Sequence, residues 1–472
     1  MRAKLPFVGP SYQARSLNAD AQRAVNCYLE MDSASPRAPL ALYGTPGTVL
    51  KATLPQSPVR GVIAEGGYAW WVGGSTVYRM DSAYALTSLG TLGSLSGQVS
   101  MASNGTQILI VDGVGGWLIN VAAGTLTQIT DEAFPAGVKR CTYQDSYFIV
   151  TGLAGSQQFW INEVAYDGST WNGLDFDVAA GSPDYTIGLI SDHRELWLFG
   201  SNSAEVWANT GSSDFPFQRS GNTFIEHGCA AGATVAKADN TVFWLGTDDR
   251  GAGIVWRADG YTPIRISTHA VEKALSSCTL EDASAFTYQQ EGHIFYVLNL
   301  PEATWVYDAA TQQWHERAWQ DPSTGSLSRW RPDCMVFFNN EHLVGDYESG
   351  KVYALDLDSY TDDGSPIRRI RAAQTAENLQ LRMFYESLQI DMETGLGTGD
   401  SDPQLRLRWS NDGGHTWSNE RMVSAGKVGQ YNARAKFNRL GSGRNRVFEI
   451  SMTDNAKFAV LGAVIEAEAG SA

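Results

Sequence analysis

Hydrophobic and polar positions alternate in short phrases between about residue 60 and residue 365, and Gly, Asn or Asp separates one phrase from the next. One unit recurs. It has an apolar opening strand, a short polar turn, a second strand rich in aromatic and β-branched residues, and a third that ends near Val-Tyr or Val-Trp. The first copy spans residues 61–64, 68–72 and 76–79, and Asn104-Gly105 in the next copy is a strong hairpin signal. The pattern predicts antiparallel β-strands.

The unit recurs roughly every 40 to 50 residues, a period typical of propeller blades. Further copies open near Cys141, Gly188, Thr234, Ala285 and Met335. The pattern indicates roughly seven blade-like repeats, with six to eight left open. We therefore predict an all-β protein with a β-propeller at residues 59–365. An array of β-sandwiches is the alternative architecture.

The two ends of the chain do not follow the repeat. Residues 1–58 predict an extended, irregular N-terminal arm, because prolines interrupt any strand pattern there. These prolines are Pro6, Pro10, Pro36, Pro39, Pro46, Pro55 and Pro58. Residues 366–472 contain strand-like segments at 383–385, 388–390 and 405–409 that do not repeat. They predict a separate C-terminal β domain.

Composition and charge narrow the function classes. The chain has 472 residues, of which 43% are hydrophobic and only 18% charged, and this excludes a mainly disordered or coiled-coil protein. The formal net charge of −16 argues against a surface built wholesale to neutralise phosphate. Charge also changes along the chain, since residues 368–472 hold 14 Lys and Arg against 12 Asp and Glu while the remainder carries −18.

Signals for metal, cofactor and catalytic chemistry are missing. The five Cys contain no CxxC pair, the seven His are dispersed, and the sequence lacks a nucleophile elbow, a dinucleotide fingerprint and a P-loop. We therefore predict no catalytic residue, no metal and no cofactor, and a reduced compartment. Pro6 and Pro10 interrupt what would be the core of a signal peptide, so neither an export signal nor a membrane span is expected.

One local motif invites a glycosidase interpretation. Residues 410–417, Ser-Asn-Asp-Gly-Gly-His-Thr-Trp, fit the Asp-box pattern that recurs in sialidase propellers. The residues of this motif have structural roles: the Asp side chain accepts hydrogen bonds from backbone amides of the turn, the Gly permits positive φ and the Trp packs beneath the hairpin. The motif occurs once and outside the predicted propeller. We therefore assign it a structural role through the residues Ser410, Asp412, Gly414, Thr416 and Trp417.

A basic run follows the Asp-box. Between Arg421 and Arg446 the chain has seven basic residues and no acidic one. They are Arg421, Lys427, Arg434, Lys436, Arg439, Arg444 and Arg446. We favour a subunit interface that pairs with the acidic propeller. The alternative is phosphate contact in a ring that faces DNA.

Three segments together resemble one protein family. They are Asn18-Ala-Asp20, then Val25-Asn-Cys-Tyr-Leu-Glu30, which contains Asn26, Tyr28 and Glu30, and then Leu42-Tyr-Gly-Thr-Pro-Gly-Thr48. A C-terminal β region follows, from Leu407-Arg-Trp409 through the Asp-box to Arg439-Leu-Gly441 and Arg446-Val-Phe-Glu449. In this order they resemble the tail hub, or nozzle, proteins of short-tailed bacteriophages, the podoviruses, which are also called packaged DNA stabilisation proteins or tail accessory factors.

The resemblance implies a structural virion protein of the tail, assembled in the host cytoplasm. Six copies would form a ring-shaped tube below the portal and its adaptor ring, retain packaged double-stranded DNA, and conduct it out at ejection without sequence recognition. Tail fibres or spikes and a needle or plug would dock on this tube. Asn26, Tyr28 and Glu30 join the basic run as candidate interface residues. The rival function is a carbohydrate-active propeller, either a sialidase-like hydrolase or a glycan-binding receptor protein.

Overall fold

The computed structural model describes residues 2–32, 39–221, 223–248, 250–397 and 401–470. Within these ranges the chain consists of β-strands with one short α-helix, α1 (His269–Leu275). The predicted all-β fold is confirmed. No helix in these ranges is long and apolar enough to cross a lipid bilayer.

Six strands precede the repeating region. They are β1 (Arg2–Leu5), β2 (Tyr12–Gln13), β3 (Ala21–Val25), β4 (Cys27–Met31), β5 (Leu40–Gly44) and β6 (Gly47–Thr53).

The repeating region forms seven sheets in the described part of the chain, and each is one blade of a propeller. Blade 1 contains β7 (Val59–Glu65), β8 (Tyr68–Gly73), β9 (Thr76–Met80) and β10 (Leu86–Thr91). Blade 2 contains β11 (Ser100–Ser103), β12 (Gln107–Val111), β13 (Gly116–Asn120) and β14 (Thr125–Gln128). Blade 3 contains β15 (Arg140–Gln144), β16 (Tyr147–Thr151), β17 (Gln158–Val164) and β18 (Asp167–Val178). Blade 4 contains β19 (Thr186–Asp192), β20 (Glu195–Gly200), β21 (Ala204–Asn209) and β22 (Phe217–Arg219). Blade 5 contains β23 (Ala236–Ala238), β24 (Thr241–Thr247), β25 (Gly253–Asp259) and β26 (Thr262–Arg265). Blade 6 contains β27 (Ser284–Gln290), β28 (His293–Asn299), β29 (Thr304–Asp308) and β30 (Gln313–Gln320), to which β31 (Leu327–Arg329) adds, and blade 7 contains β32 (Pro332–Phe338), β33 (Glu341–Asp346) and β34 (Lys351–Asp356). The predicted propeller is confirmed, with seven blades.

The middle strands of the blades are apolar on both faces because both faces are covered. In β12, Leu109 and Val111 pack toward blade 3, whereas Ile108 and Ile110 pack toward blade 1. Each of the seven gaps between neighbouring blades has a hydrophobic cluster of this kind. This arrangement explains why the second strand of each repeat is a continuous run of aromatic and β-branched residues.

The ring of blades is closed by a strand from the N-terminal part of the chain. Strand β6 pairs antiparallel with β34, with Leu50 opposite Tyr353 and Thr48 opposite Leu355. It therefore supplies the fourth strand of blade 7. The innermost strand of blade 7, β32, lies against β7 of blade 1, so the circle has no open gap. Closure joins residues about 300 positions apart in sequence, and the cost in chain entropy is met by burial in the two adjoining clusters.

Gly47 provides a test of this closure. A Cβ at Gly47 would meet the carbonyl oxygens of Ser359 and Thr361 well inside contact distance. Both obstacles are backbone atoms, so a rotamer change cannot relieve the clash. We expect Gly47→Ala to lower the free energy of unfolding by about 1–3 kcal/mol, measured by urea unfolding. Gly462→Ala is the matched control, because a Cβ at that strand glycine meets nothing within 4 Å. Equal stability of the two variants would contradict the proposed tight closure.

The C-terminal part forms a sandwich of two sheets. Two short strands, β35 (Thr361–Asp362) and β36 (Ser365–Pro366), first extend blade 7. The strands that follow belong to the sandwich: β37 (Arg369–Ala372), β38 (Met383–Met392), β39 (Gln404–Ser410), β40 (Arg421–Ser424), β41 (Ala435–Gly443), β42 (Val447–Met452) and β43 (Ala459–Ala469). One sheet has the order β3-β37-β42-β39-β40, and the other has the order β4-β5-β43-β38-β41 with β1 paired to β43. Their facing side chains, among them Leu407, Phe437 and Ile450, form a single core.

The N-terminal segment differs from the irregular arm that its prolines predicted. Strands β1 to β5 belong to the sandwich sheets and β6 belongs to blade 7. Prolines fall mainly between these strands, so they mark strand ends; Pro36 lies outside the described residues. Strand β3 also pairs in parallel with β30 through Val25 and Glu316, and one sheet thereby runs from blade 6 into the sandwich. The domain boundaries that the sequence predicts, at residues 58 and 365, stay a prediction.

Candidate subunit interface

The basic run lies along one edge of the sandwich. Strand β40 ends one sheet and β41 ends the other, and the two edge strands lie next to each other. Six of the basic residues are exposed here, and we call them the basic edge: Arg421, Lys427, Arg434, Lys436, Arg439 and Arg444. Edge strands present unpaired backbone groups, and positive side chains on them limit nonspecific pairing. The structure thus places these six residues on, between or just beyond the two edge strands.

Arg421 links the two edge strands. Its guanidinium donates hydrogen bonds to the carbonyl oxygens of Asn438 and Arg439, at 2.8 and 3.0 Å. It also stacks on the ring of Trp409, 5.0 Å from the centroid. Arg421 therefore fixes the spacing of the edge. The other members are free to meet a partner, apart from the bond from Arg444 to the Gln380 carbonyl and a 3.9 Å ion pair of Lys436.

Apolar side chains accompany the charges on this edge. Met422 and Val428 are 57% and 53% exposed, and Tyr431 is 69% exposed. Aromatic and Met side chains beside Arg are the composition found in the centres of protein interfaces. The edge therefore combines charge with groups that gain free energy when they are covered.

Arg446 is a correction to the predicted interface. Only 1% of this residue is exposed, and its guanidinium donates to Asn411 Oδ1, the Leu440 carbonyl and the Ser442 carbonyl at 2.7–2.8 Å. It also stacks on Tyr385 and Trp409. Burial lowers the pKa of Arg446 to about 10. Since its donors are used inside the chain, Arg446 cannot contact another subunit in this fold.

Asn26 is a second correction. It is 2% exposed and lies where blade 6 meets the sandwich. Its Nδ2 donates to the carbonyls of Ala318 and Arg368, at 2.9 and 3.0 Å, and its Oδ1 accepts from the Ala318 amide at 2.9 Å. Its φ of +53° suits Asn better than most residues. The side chain therefore joins the two domains within one chain.

Tyr28 and Glu30 both lie on β4, but the first is buried and the second is exposed. Tyr28 is 7% exposed, and its ring packs edge-on against Phe295 and His293, with centroids 5.5 and 5.1 Å away. It is therefore part of the junction, and the interface prediction is wrong for it on the same physical ground as for Asn26. Glu30 is exposed and remains a candidate contact.

Arg371 is a junction residue that the sequence pattern did not indicate. It is fully buried, and it donates to the carbonyls of Phe7 and Pro10 at 2.7 Å and to Gln22 Oε1 at 2.5 Å. These bonds fix the N-terminal segment on the sandwich. In the sequence, the run Arg368-Arg-Ile-Arg371 resembles a cluster of solvated charges. The one signal that some of these side chains face inward is the alternation of charged and apolar residues that is typical of a strand.

The Asp-box forms a hydrogen-bonded turn after β39. Asp412 accepts from the Ser410 hydroxyl at 2.6 Å, from the Thr416 amide at 2.9 Å and from the Thr416 hydroxyl at 2.5 Å. Gly414 has a φ of +99°, which requires glycine. Trp417 packs against Ala21 in the N-terminal segment, and Arg408 stacks on its ring. The turn thus serves to hold the N-terminal segment against the sandwich.

Replacement of Asp412 tests this role. The hydroxyl of Ser410, followed by the hydroxyl and amide of Thr416, holds the pKa of the Asp412 carboxyl well below its usual range. Its stabilising effect is therefore fully present above the pKa of an unfolded aspartate, about 3.9, and is lost only as pH falls through the lower folded value. We expect Asp412→Ala to show a lower melting temperature at pH 7 and to converge with the wild type in strong acid. His415→Ala, at an exposed position in the same turn, should leave melting unchanged; equal losses in both variants would contradict the role of Asp412.

Within the described residues, no cluster of three or more His, Cys, Asp or Glu is arranged to hold a metal ion. Of the five Cys, Cys27, Cys141 and Cys229 are buried, and burial raises the pKa of the Cys229 thiol to about 11. These thiols are therefore protonated at neutral pH and act as small apolar groups.

Two family models match the chain, and together they cover both domains. The model described as bacteriophage P22 Gp10, beta-propeller, matches residues 19–360, and the model described as bacteriophage P22 Gp10, beta-sandwich, matches residues 368–468. No curated protein matches the chain significantly in sequence.

Three solved structures among those similar to the chain have low sequence identity to it. The N-terminal domain of Nup159 has a TM-score of 0.43 at 9% identity, covering 71% of this chain and 98% of that domain. The WD40 propeller domain of Doa1 has a TM-score of 0.41 at 11% identity, covering 66% of this chain and 96% of that one. The computationally designed Ika8 protein has a TM-score of 0.39 at 13% identity, covering 71% and 100%.

Proposed function

Since the chain belongs to the bacteriophage P22 Gp10 family, the tail hub proteins that stabilise packaged DNA, we propose that six copies form a ring-shaped tube below the portal and its adaptor ring. The protein is a structural component of the virion tail. The tube retains the genome until ejection and then conducts it out, and the subunits assemble in the host cytoplasm. The observation that carries the proposal is the match of both family models, in order, to the propeller and to the sandwich.

The charge of the chain supports passage of DNA through the tube. A net charge of −16 per copy is multiplied around a ring, and phosphate is repelled by such a surface. DNA then slides past without the release of counterions that accompanies tight binding. Recognition of base sequence has no place in this mechanism.

The basic edge is the surface that we assign to contact between subunits. Apart from residues 368–472, the chain carries −18, so the edge of one copy faces a strongly acidic neighbour. Opposite charge steers the encounter and fixes its register, while Met422, Val428 and Tyr431 supply apolar area. Contact with phosphate is the second candidate for these residues, and it predicts DNA binding by the isolated chain.

Other surfaces remain for the further partners. Tail fibres or spikes and a needle or plug would dock on the outer parts of the tube. We infer no catalytic activity, because the Asp-box carboxylate is engaged in its own turn. No observation in the described residues favours the carbohydrate-active alternative, and the family match opposes it.

Retention of DNA tests the function. Heads filled with DNA but assembled without this protein should lose their genome to added nuclease, and purified protein should restore protection when it is added beforehand. The measurement is the fraction of DNA that resists nuclease. Heads that keep their DNA equally well with and without the protein would contradict the proposal.

A further inference from the structure

The propeller encloses a channel along its axis. A cavity of about 340 Å³ is lined by residues of the inner strands, including Arg60, Arg140 and Asp333. It opens at one end into a wider mouth of about 630 Å³. The channel is too narrow for a nucleic-acid duplex but admits a small molecule. Its wall combines small and apolar side chains with polar groups, and the few charges on it determine which molecule fits.

Two of the charged groups on the wall are already satisfied by the protein. Arg60 donates to the carbonyls of residues 74, 94, 96 and 97 and to the Ser94 hydroxyl. Asp333 accepts from Arg329, from the Ser284 hydroxyl at 2.7 Å and from Gln98 Nε2 at 3.2 Å. Asp333 and Arg329 neutralise each other. The carboxylate of Asp112, on the wall of the mouth, opposes the charge of Arg60. The charge on the wall that no facing carboxylate opposes is therefore that of Arg140.

Arg140 differs from the other inward-facing arginines. In the described part of the chain its guanidinium makes no hydrogen bond, no ion pair and no stacking contact, whereas Arg317, Arg371 and Arg446 all donate to carbonyl oxygens. Burial lowers the pKa of Arg140, and no carboxylate nearby opposes this effect. A guanidinium has five N–H donors, and those of Arg140 are open to the channel, where a ligand can accept them.

The mouth of the channel carries charges of both signs. Lys139 lies there on the positive side, and Glu281 and Asp282 lie there on the negative side, all three exposed. These groups are solvated, so their fields are screened. The acidic pair opposes entry of an anion, and its removal should strengthen binding inside the channel.

We propose that the axial channel binds a small tetrahedral oxyanion, of the size of inorganic phosphate or sulfate, through the guanidinium of Arg140. Arginine matches such an anion with paired N–H donors, and charge-assisted hydrogen bonds of this kind are stronger than neutral ones. The site lies inside one subunit, so it does not depend on the proposed ring.

Titration calorimetry with inorganic phosphate, at constant ionic strength, tests the site. We expect Arg140→Gln to weaken phosphate binding by at least about tenfold, because a charge-assisted pair is removed. Arg194→Gln is the control, since this arginine is exposed on the propeller surface and pairs with Asp145. The double variant Glu281→Gln, Asp282→Asn should bind phosphate more tightly than the wild type. Identical phosphate binding by the wild type and Arg140→Gln would overturn the proposal.

A crystallographic experiment on the unaltered protein keeps the proposal testable should Arg140→Gln fail to fold. Crystals soaked in tungstate are expected to show anomalous density in the channel beside Arg140. Phosphate added in excess should remove that density. Tungstate found only on the outer surface, or an axial channel that contains only water under these conditions, would overturn the assignment.

Discussion

Glutamine at Arg434, Lys436, Arg439 and Arg444 together is expected to abolish ring assembly while leaving the monomer folded. All four side chains are exposed on the basic edge, so their loss removes no packing from the core. If each charge contributes about 0.5–1 kcal/mol to a contact with an acidic neighbour, each subunit contact loses about 2–4 kcal/mol. The loss applies at every contact of the ring. Light scattering of the variant with the portal–adaptor complex measures the effect, and circular dichroism checks the fold.

A matched variant separates the position of the charges from their number. It carries glutamine at four exposed basic residues elsewhere, namely Arg15, Arg194, Lys237 and Arg250. The net charge is the same in both variants, so only location differs. We expect this control to assemble normally. Unchanged oligomers in the basic-edge variant, or equal loss in both, would remove the basic edge from the interface.

Asn26→Ala is expected to lower the free energy of unfolding by about 3–5 kcal/mol, the largest effect we expect from a single substitution in this chain. The change removes three hydrogen bonds, two of them fully buried, and takes the Asn26 partner away from two carbonyls and one amide at the junction of the domains. Water cannot replace the side chain easily, because the residue is 2% exposed. Urea unfolding followed by tryptophan fluorescence measures the loss.

Asn340→Ala is the control for backbone strain. Asn340 has a φ of +61°, close to that of Asn26, but it is exposed and its side chain makes no hydrogen bond in the described structure. Any loss in this variant reports the cost of Ala at positive φ alone. A loss in Asn26→Ala no larger than in Asn340→Ala would contradict the junction role.

The propeller could be predicted because each blade repeats the same local physics. A strand covered on both faces must be apolar throughout, and a tight turn between two strands requires residues such as Asn104-Gly105. The apolar strand and the turn residues both recur with a period of about 50 residues or less, so each blade can be recognised from a short stretch of sequence. The openings predicted near Cys141, Gly188, Ala285 and Met335 lie within innermost strands, and Thr234 lies just before β23.

The N-terminal strands could not be predicted in the same way. Their partners are hundreds of positions away, as in the pairing of Leu50 with Tyr353 and of Arg23 with Ala372. Such pairing leaves no local period, and the prolines between the strands dominated the pattern. The short strands near Asn26 therefore looked like an unpaired arm, although both domains depend on them.

The candidate interface was partly predictable. Exposed charge can be inferred from a run without acidic residues, and six residues of that run are exposed. Burial of individual members could not be inferred, because Arg444 and Arg446 both lie in the connection between β41 and β42, and only the path of the backbone there turns Arg446 inward. Sequence resemblance indicated that Asn26 and Tyr28 matter, but not that they act inside one chain.

The most direct measurement is the mass and symmetry of the protein, alone and bound to the portal–adaptor complex, by light scattering and negative-stain imaging. The proposed tail hub predicts a six-fold ring in at least the bound sample. A monomer that does not associate with the adaptor, and that binds or cleaves a glycan instead, would contradict the account.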